Sequence, residues 1–194
     1  MPFVDREIEM SALEAAYKNP IASLFVVYGR RRVGKTTLLA EFCKGKHALY
    51  YLATEESIQA NCAAFREMAA DFLQDELLRS AANAGWEMIF KTLLAQPSEE
   101  KLVIIIDEFQ YLGKADKAFP SVFQKIWDTQ LKNENVEVIL CGSLVHMMME
   151  QTLSYSSPLY GRRTGQIKLK QIPYAYYNQF FPAMSEQERI LYYA

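Results

Sequence analysis

The chain has 194 residues, of which 51% are hydrophobic and 23% charged, and a formal net charge of −2. That size and composition suit one α/β domain with a substantial core, and the near balance of charge gives no global reason to expect nucleic-acid binding. No apolar stretch approaches the length of a bilayer span, and the first residues lack a signal peptide's apolar run. Cys43, Cys62 and Cys141 are odd in number and share no metal-ligand spacing, so they read as reduced thiols of a cytoplasmic protein.

Residues 5–17 place Ile8, Leu13 and Ala16 among charges and predict a first helix, which Asn19-Pro20 stops. The apolar run Ser23-Leu24-Phe25-Val26-Val27-Tyr28 predicts a strand, and residues 37–42 look helical. Between them stands Gly29-Arg30-Arg31-Arg32-Val33-Gly34-Lys35-Thr36, and the strand–loop–helix setting makes this octet a phosphate-binding loop. Its chemistry needs fixed positions. Gly29 and Gly34 let the backbone approach phosphate oxygens, so that loop N–H groups and the following helix N-terminus point at negative charge. Lys35 supplies a cation for the β- and γ-phosphates, and the Thr36 hydroxyl is placed to coordinate the accompanying Mg2+. Arg32, Val33 and Thr37 are assigned to the same nucleotide contact.

Residues 47–52 predict a second strand, residues 55–80 an interrupted helical stretch, and Gly85-Trp86 the opening of another helix with Ile89, Leu93 and Leu94 on one face. A polar loop over residues 96–100 then leads into Leu102-Val103-Ile104-Ile105-Ile106-Asp107-Glu108. Five consecutive apolar residues, four of them β-branched, fit a central parallel strand covered on both faces. Asp107 then emerges at the carboxyl end, where ligands of open α/β sheets collect, and can hold magnesium from the side opposite the loop. Glu108, one residue on, is placed to orient or deprotonate a water behind the γ-phosphate. Its other reading is a helix-capping or solvated acid.

Residues 121–132 predict a helix with Phe123, Ile126, Trp127 and Leu131 inward. A third apolar strand, residues 136–141, ends in Gly142-Ser143, and its carboxyl end is expected between the other two if the sheet has the order of hydrolysing P-loop ATPases. Ser143 then faces the γ-phosphate, caps a helix over residues 144–151, or does both at once. Residues 165–170 alternate like a fifth strand, and residues 174–181 and 185–193 look helical, with Ser185 and Glu188 spaced as a capping box. The βαβα alternation predicts an α/β fold, a P-loop NTPase three-layer sandwich around a central, mainly parallel five-stranded sheet of RecA/AAA+-like type. Residues 1–172 are expected to form the core domain and residues 173–194 to begin a C-terminal helical segment of lid or winged-helix type. Ile190 to Tyr193, with little chain left to cover them, lead one to expect a truncated segment, the other reading being a helix folded back onto the core.

These residues together resemble the archaeal-type ATPase domain family, P-loop ATPases related to the AAA+ and STAND groups. The opening pattern of that family appears as Phe3-Val4-Asp5-Arg6-Glu7-Ile8-Glu9-Met10, with Asp5 where relatives have Gly and Met10 where they have Leu. The phosphate loop, Asp107-Glu108-Phe109-Gln110-Tyr111-Leu112 and Cys141-Gly142-Ser143 are similar to that family's phosphate loop, acidic strand end and sensor. The resemblance implies base contacts for Phe3 and Val4. From Ser157-Pro158-Leu159-Tyr160-Gly161-Arg162-Arg163 it implies an interface arginine, with Arg162 the first choice. An arginine of that kind neutralises charge on a neighbour's departing γ-phosphate.

The expected activity is Mg2+-dependent hydrolysis of ATP to ADP, driving a conformational change in an attached domain or assembly. Self-association through an ATPase interface is expected, and DNA contact only through regions outside this chain. The absence of an Asn-Lys-x-Asp stretch argues for adenine over guanine. Two other functions use the same loop: a nucleotide-gated binding module with little hydrolysis, and a small-molecule kinase, against which the adjacent Asp107-Glu108 pair argues.

Overall fold

In the computed structural model, residues 3–95 and 98–193 are described; the polar loop expected over residues 96–100 lies partly outside them. Five parallel strands form one sheet: β1 (Ser23–Tyr28), β2 (Ala48–Leu52), β3 (Leu102–Asp107), β4 (Val136–Gly142) and β5 (Gly165–Lys168). Their order is β2-β3-β4-β1-β5, so β4 lies between the acidic strand and the loop-bearing strand, the order expected of hydrolysing P-loop ATPases. Every residue of β1, β3 and β4 is buried, whereas β2 and β5, at the edges, are only partly so. The near-continuous Val, Ile and Leu runs of the central strands are what burial on both faces requires.

Two-residue alternation divides the core into two layers. On one face Leu24, Val26, Ile104, Ile106, Val138 and Leu140 meet an aromatic cluster from α3 (Ile58–Leu73), α5 (Trp86–Leu94) and α7 (Phe119–Ile126). Phe65 there stacks on Trp86 at 5.2 Å between ring centroids, and Phe90 meets Phe123 edge-on at 5.9 Å. On the other face Phe25, Val27, Ile105 and Ile139 pack on Leu13 of α1 (Glu7–Lys18) and on Leu38, Leu39 and Phe42 of α2 (Lys35–Phe42). The three-layer sandwich follows from strands that are apolar on both sides.

The helical stretches depart from the sequence expectation in detail. The interrupted stretch splits into α3 and a short α4 (Glu76–Ser80), because Gln74 takes a left-handed conformation (φ 54°) and Asp75 caps the next turn through Leu78 N at 2.9 Å. A helix α6 (Gln110–Ala115) follows the acidic strand and was not anticipated. Past Ile126 the helix expected to run to residue 132 continues as one π-helical turn, Trp127–Leu131, and α8 (Val145–Met148) likewise passes into a π turn, Met149–Leu153. The chain ends in a 3-10 turn (Tyr174–Tyr176), α9 (Tyr177–Phe180) and α10 (Glu186–Tyr193). Ser185 and Glu188 make the expected capping box, with Ser185 N donating to Glu188 at 2.9 Å and Glu188 N to the Ser185 hydroxyl at 3.3 Å. Ile190 and Leu191 are exposed, and no residue from 173 to 191 is buried.

Candidate nucleotide site

The loop joining β1 to α2 closes over the carboxyl ends of β1, β4 and β3. Its two glycines are there for different reasons. Gly34 has φ 92° with open space around its α-carbon, so what it supplies is a left-handed backbone just before α2 begins. Gly29 supplies clearance: a β-carbon there would stand 2.3 Å from the Leu169 carbonyl oxygen, where the chain leaves β5. The space that sequence reasoning reserved for phosphate at Gly29 is thus filled by a neighbouring backbone. Arg32 also takes a left-handed conformation, at φ 65°.

Lys35 is buried, and its Nζ donates to the Gly29 and Arg30 carbonyls, both at 3.1 Å, which centres the ammonium within the loop. Thr36 and Thr37 open α2 and are exposed. The Thr36 Oγ1 lies 3.4 Å from Asp107 Oδ2, bringing together the two oxygens assigned to magnesium. Asp107 is nearly enclosed; Glu108 N donates to its Oδ1 at 2.9 Å and the Tyr50 hydroxyl to its Oδ2 at 2.5 Å. Burial first, and then this bond to Asp107, raise the Tyr50 phenol's pKa and keep it a donor. Burial likewise pushes the Cys141 thiol well above its ordinary value, with Asp107 adding to the effect, so it behaves as a protonated core thiol.

Glu108 turns at φ 53°, a left-handed conformation uncommon for a residue with a side chain. Its Oε2 accepts from Ser143 N at 3.1 Å and from the Ser143 hydroxyl at 2.7 Å, and also from Gln110 Nε2. Ser143 does not cap the helix that follows: α8 starts one residue on, after Leu144, with no side-chain cap, while the Ser143 hydroxyl donates to Glu108. Lys35, Thr36, Thr37, Arg32, Gly34 and Glu108 share one cleft of about 650 Å³, closed on the far side by Leu52, Glu55 and Tyr111. Arg31 reaches across to the Tyr111 hydroxyl at 3.0 Å and tethers the loop to α6. A second cleft of about 650 Å³ lies beyond Val33, lined by Gly29, Arg30, Lys168 and Lys170 among others.

The N-terminal segment is fastened by a residue sequence reasoning passed over. Arg6 is buried and donates to the Val33 carbonyl at 2.9 Å, the Lys170 carbonyl at 2.7 Å and Glu9 Oε1 at 3.0 Å, linking this segment to the loop and to the exit from β5. Asp5 sits at φ 53°, the region glycine favours, so the residue that replaces Gly keeps the backbone path that Gly would take. Val4 is buried and Phe3 partly exposed, and neither is among the residues that line the two clefts. Arg162 is also not brought to the loop. Its Nε donates to Asp128 Oδ1 and Oδ2 at 3.1 and 3.0 Å and its Nη2 to Oδ2 at 2.7 Å, while Nη1 donates to the Pro158 carbonyl at 2.9 Å. The Arg162 guanidinium in turn holds the Asp128 carboxyl's pKa below its usual value.

Arg6 and Gln110 stand inside the motifs that carry the family resemblance but drew no role of their own, and Tyr50 carried no signal. Tyr50 belongs to an edge strand, and its hydroxyl meets Asp107 only because β2 pairs with β3, with Leu52 opposite Asp107. Gln110 stands two residues beyond Glu108, inside the one helix that periodicity did not show. No helix among the described residues is long and apolar enough to cross a membrane.

Residues 3–191 match a family described as an ATPase domain predominantly from Archaea. An uncharacterised protein of Methanocaldococcus jannaschii is 38% identical over 188 residues, 97% of this chain but 40% of the relative, so the chain spans about two fifths of that protein's length. Among solved structures, the Walker-type ATPase of Pyrococcus abyssi aligns with a TM-score of 0.62 and 23% identity, covering 96% of this chain and 61% of that one. A STAND protein with a tetratricopeptide repeat sensor from Pyrococcus horikoshii gives 0.62 and 18%, covering 98% and 27%. The Aeropyrum pernix ORC1 protein, solved with DNA, gives 0.63 and 14%, covering 98% and 50%. At these identities the solved structures share the fold.

Proposed function

The chain belongs to the family of ATPase domains found predominantly in Archaea, and from that premise we propose that it hydrolyses ATP to ADP and phosphate with magnesium, and that the nucleotide cycle moves an attached domain or a neighbouring subunit. The observation that carries this reading is that Lys35, Thr36 and Glu108 line one cleft, with the buried Asp107 carboxylate 3.4 Å from the Thr36 hydroxyl. A hydroxyl and a carboxylate are hard oxygen donors of the kind magnesium takes, and Tyr50 and the Glu108 N–H hold the carboxylate in place, so the residues present fit the ion. When bound, the ion supplies charge neutralisation at the β- and γ-phosphate oxygens.

The remaining roles belong to the chain. Loop N–H groups and the start of α2 face the phosphates, and Lys35 gives its donors to the β- and γ-oxygens. Glu108 lines up a water opposite the leaving oxygen and takes its proton. The new bond joins that water's oxygen to the γ-phosphorus; the bond that breaks leaves the electron pair on the β-phosphate oxygen of ADP. Arg162 is the candidate for neutralising charge across a subunit interface, in which role it would exchange Asp128 for a neighbour's phosphate. Nothing in this chain is assigned to DNA.

The test is turnover and nucleotide binding by the purified protein, titrated in concentration with and without added DNA. Glu108→Gln is expected to abolish turnover while keeping ATP binding, and Lys35→Ala to weaken binding itself. Full turnover in Glu108→Gln would remove Glu108 from the mechanism. A rate per subunit independent of concentration would remove the proposed interface.

A further inference from the structure

The Glu108 carboxylate is held in an asymmetric way. Three donors, Ser143 N–H, Ser143 O–H and the Gln110 side-chain amide, converge on Oε2, while Oε1 has no hydrogen-bond partner among the described residues and is not buried. Ser143 follows a strand that also meets the loop, so its contact has an evident place in the site. Gln110 does not. It is fully buried, it does not line the cleft, and its own Oε1 is enclosed without a donor. An amide buried with one end unsatisfied is a cost to the fold, one an apolar residue of the same shape would avoid.

The surroundings are shaped to admit it. A β-carbon on Gly142 would come within 2.1 Å of Gln110 Oε1, so the residue before Ser143 leaves the room that this side chain fills. Gln151 Nε2 donates to the Gln110 carbonyl at 3.2 Å, and a β-carbon on Gly113 would meet the Gln151 amide at 2.5 Å. Two glutamines are thus packed against two glycines behind the acid. The amide cannot usefully be turned over, since only its Nε2 end can donate to a carboxylate.

We propose that Gln110 is a positioning residue for hydrolysis: with Ser143 it pins Glu108 by Oε2, so that Oε1 is presented to the attacking water in the cleft. This rests on Glu108 acting on that water, as proposed above. The left-handed backbone at Glu108 is the local strain through which the side chain reaches its two anchors, and such strain persists only where the surroundings hold it. Fixing one oxygen removes a rotation that would otherwise carry the carboxylate out of line, and misplacement by about 1 Å can cost about a hundredfold in rate.

The experiment compares Gln110→Met, which keeps the shape and loses the donor, with Glu108→Gln and the double variant, measuring kcat, KM for ATP, nucleotide affinity and Tm. The expected result is a fall in kcat of about ten- to a hundredfold with KM and Tm little changed, and no further loss when Gln110→Met is added to Glu108→Gln. A merely structural Gln110 would lower Tm and lower any residual rate equally in both backgrounds. If Gln110→Met does not fold, Gln110→Asn, too short to reach Glu108, is expected to give the same pattern. Loss of turnover in Glu108→Gln with full turnover in the Gln110 variant overturns the positioning role alone. Full turnover in Glu108→Gln overturns the role of Glu108 and this one with it, and a faster Gln110→Met would show a restraint in place of an aid.

Discussion

Glu137, at the end of the sheet opposite the nucleotide loop, should make this protein less stable as pH rises. It is fully buried in β4, neither carboxylate oxygen has a hydrogen-bond partner among the described residues, and burial pushes its pKa from 4.5 up to about 8. Lys101 and Lys46 act against the shift and Glu14 adds to it. The nearby Lys101 ammonium is engaged elsewhere, donating to the Asn19 and Ile21 carbonyls at 2.6 and 2.9 Å. In the unfolded chain Glu137 loses its proton near its ordinary value, whereas in the folded protein it keeps the proton to about pH 8. The raised pKa therefore contributes stability that is complete below about pH 4.5 and is lost as pH climbs through 8. At about 1.4 kcal/mol per unit, a shift of about 3.5 units amounts to about 5 kcal/mol across that window, of which about 3 is already lost at pH 7. Glu137→Gln, isosteric and neutral, removes this dependence. Urea unfolding from pH 5 to 9 is expected to show the variant's advantage growing by several kcal/mol with rising pH, other groups cancelling in the difference. Parallel curves for the two proteins would refute the reasoning.

Three further outcomes are expected. Gly29→Ala should destabilise the protein more than Gly34→Ala, because the first drives a methyl into the Leu169 carbonyl whereas the second meets open space and costs about 1–2 kcal/mol in backbone strain alone; Tm values in the reverse order would contradict this. Phe90→Ala empties the centre of the aromatic layer and should cost about 3–5 kcal/mol in chemical unfolding, with nucleotide affinity unchanged while the protein is folded. Tyr50→Phe removes the hydroxyl on Asp107 Oδ2 and should raise the magnesium concentration needed for half-maximal turnover about tenfold or more, leaving KM for ATP at saturating magnesium unchanged.

What the amino-acid sequence determined by itself was local. Runs such as Leu102-Val103-Ile104-Ile105-Ile106 declare buried parallel strands because no amphipathic surface element is apolar at every position. The phosphate loop was legible because close backbone approach, a mobile cation and a hydroxyl all fall within eight consecutive residues, and the pairing of Thr36 with Asp107 followed because the loop after β1 and the end of β3 both lie at the carboxyl edge of the sheet. Short helices were less legible: α6 has six residues, too few for a period to show, and Gln110 was hidden with it.

Tertiary structure decided what depends on neighbours far apart in the chain. Strand order put Tyr50 on Asp107, closure of the N-terminal segment over Val33 and Lys170 gave Arg6 its acceptors, and Asp128 took up the Arg162 guanidinium. Glu137 reads in the sequence as one polar residue in an apolar strand, and only the packing of α1 and α2 over β4 turns it into a buried acid. Ser143 makes the point within the site. Its sequence position allowed a helix cap, a site contact or both, and the fold decided by bringing to it the carboxylate of Glu108, thirty-five residues earlier, while α8 begins one residue later, after Leu144.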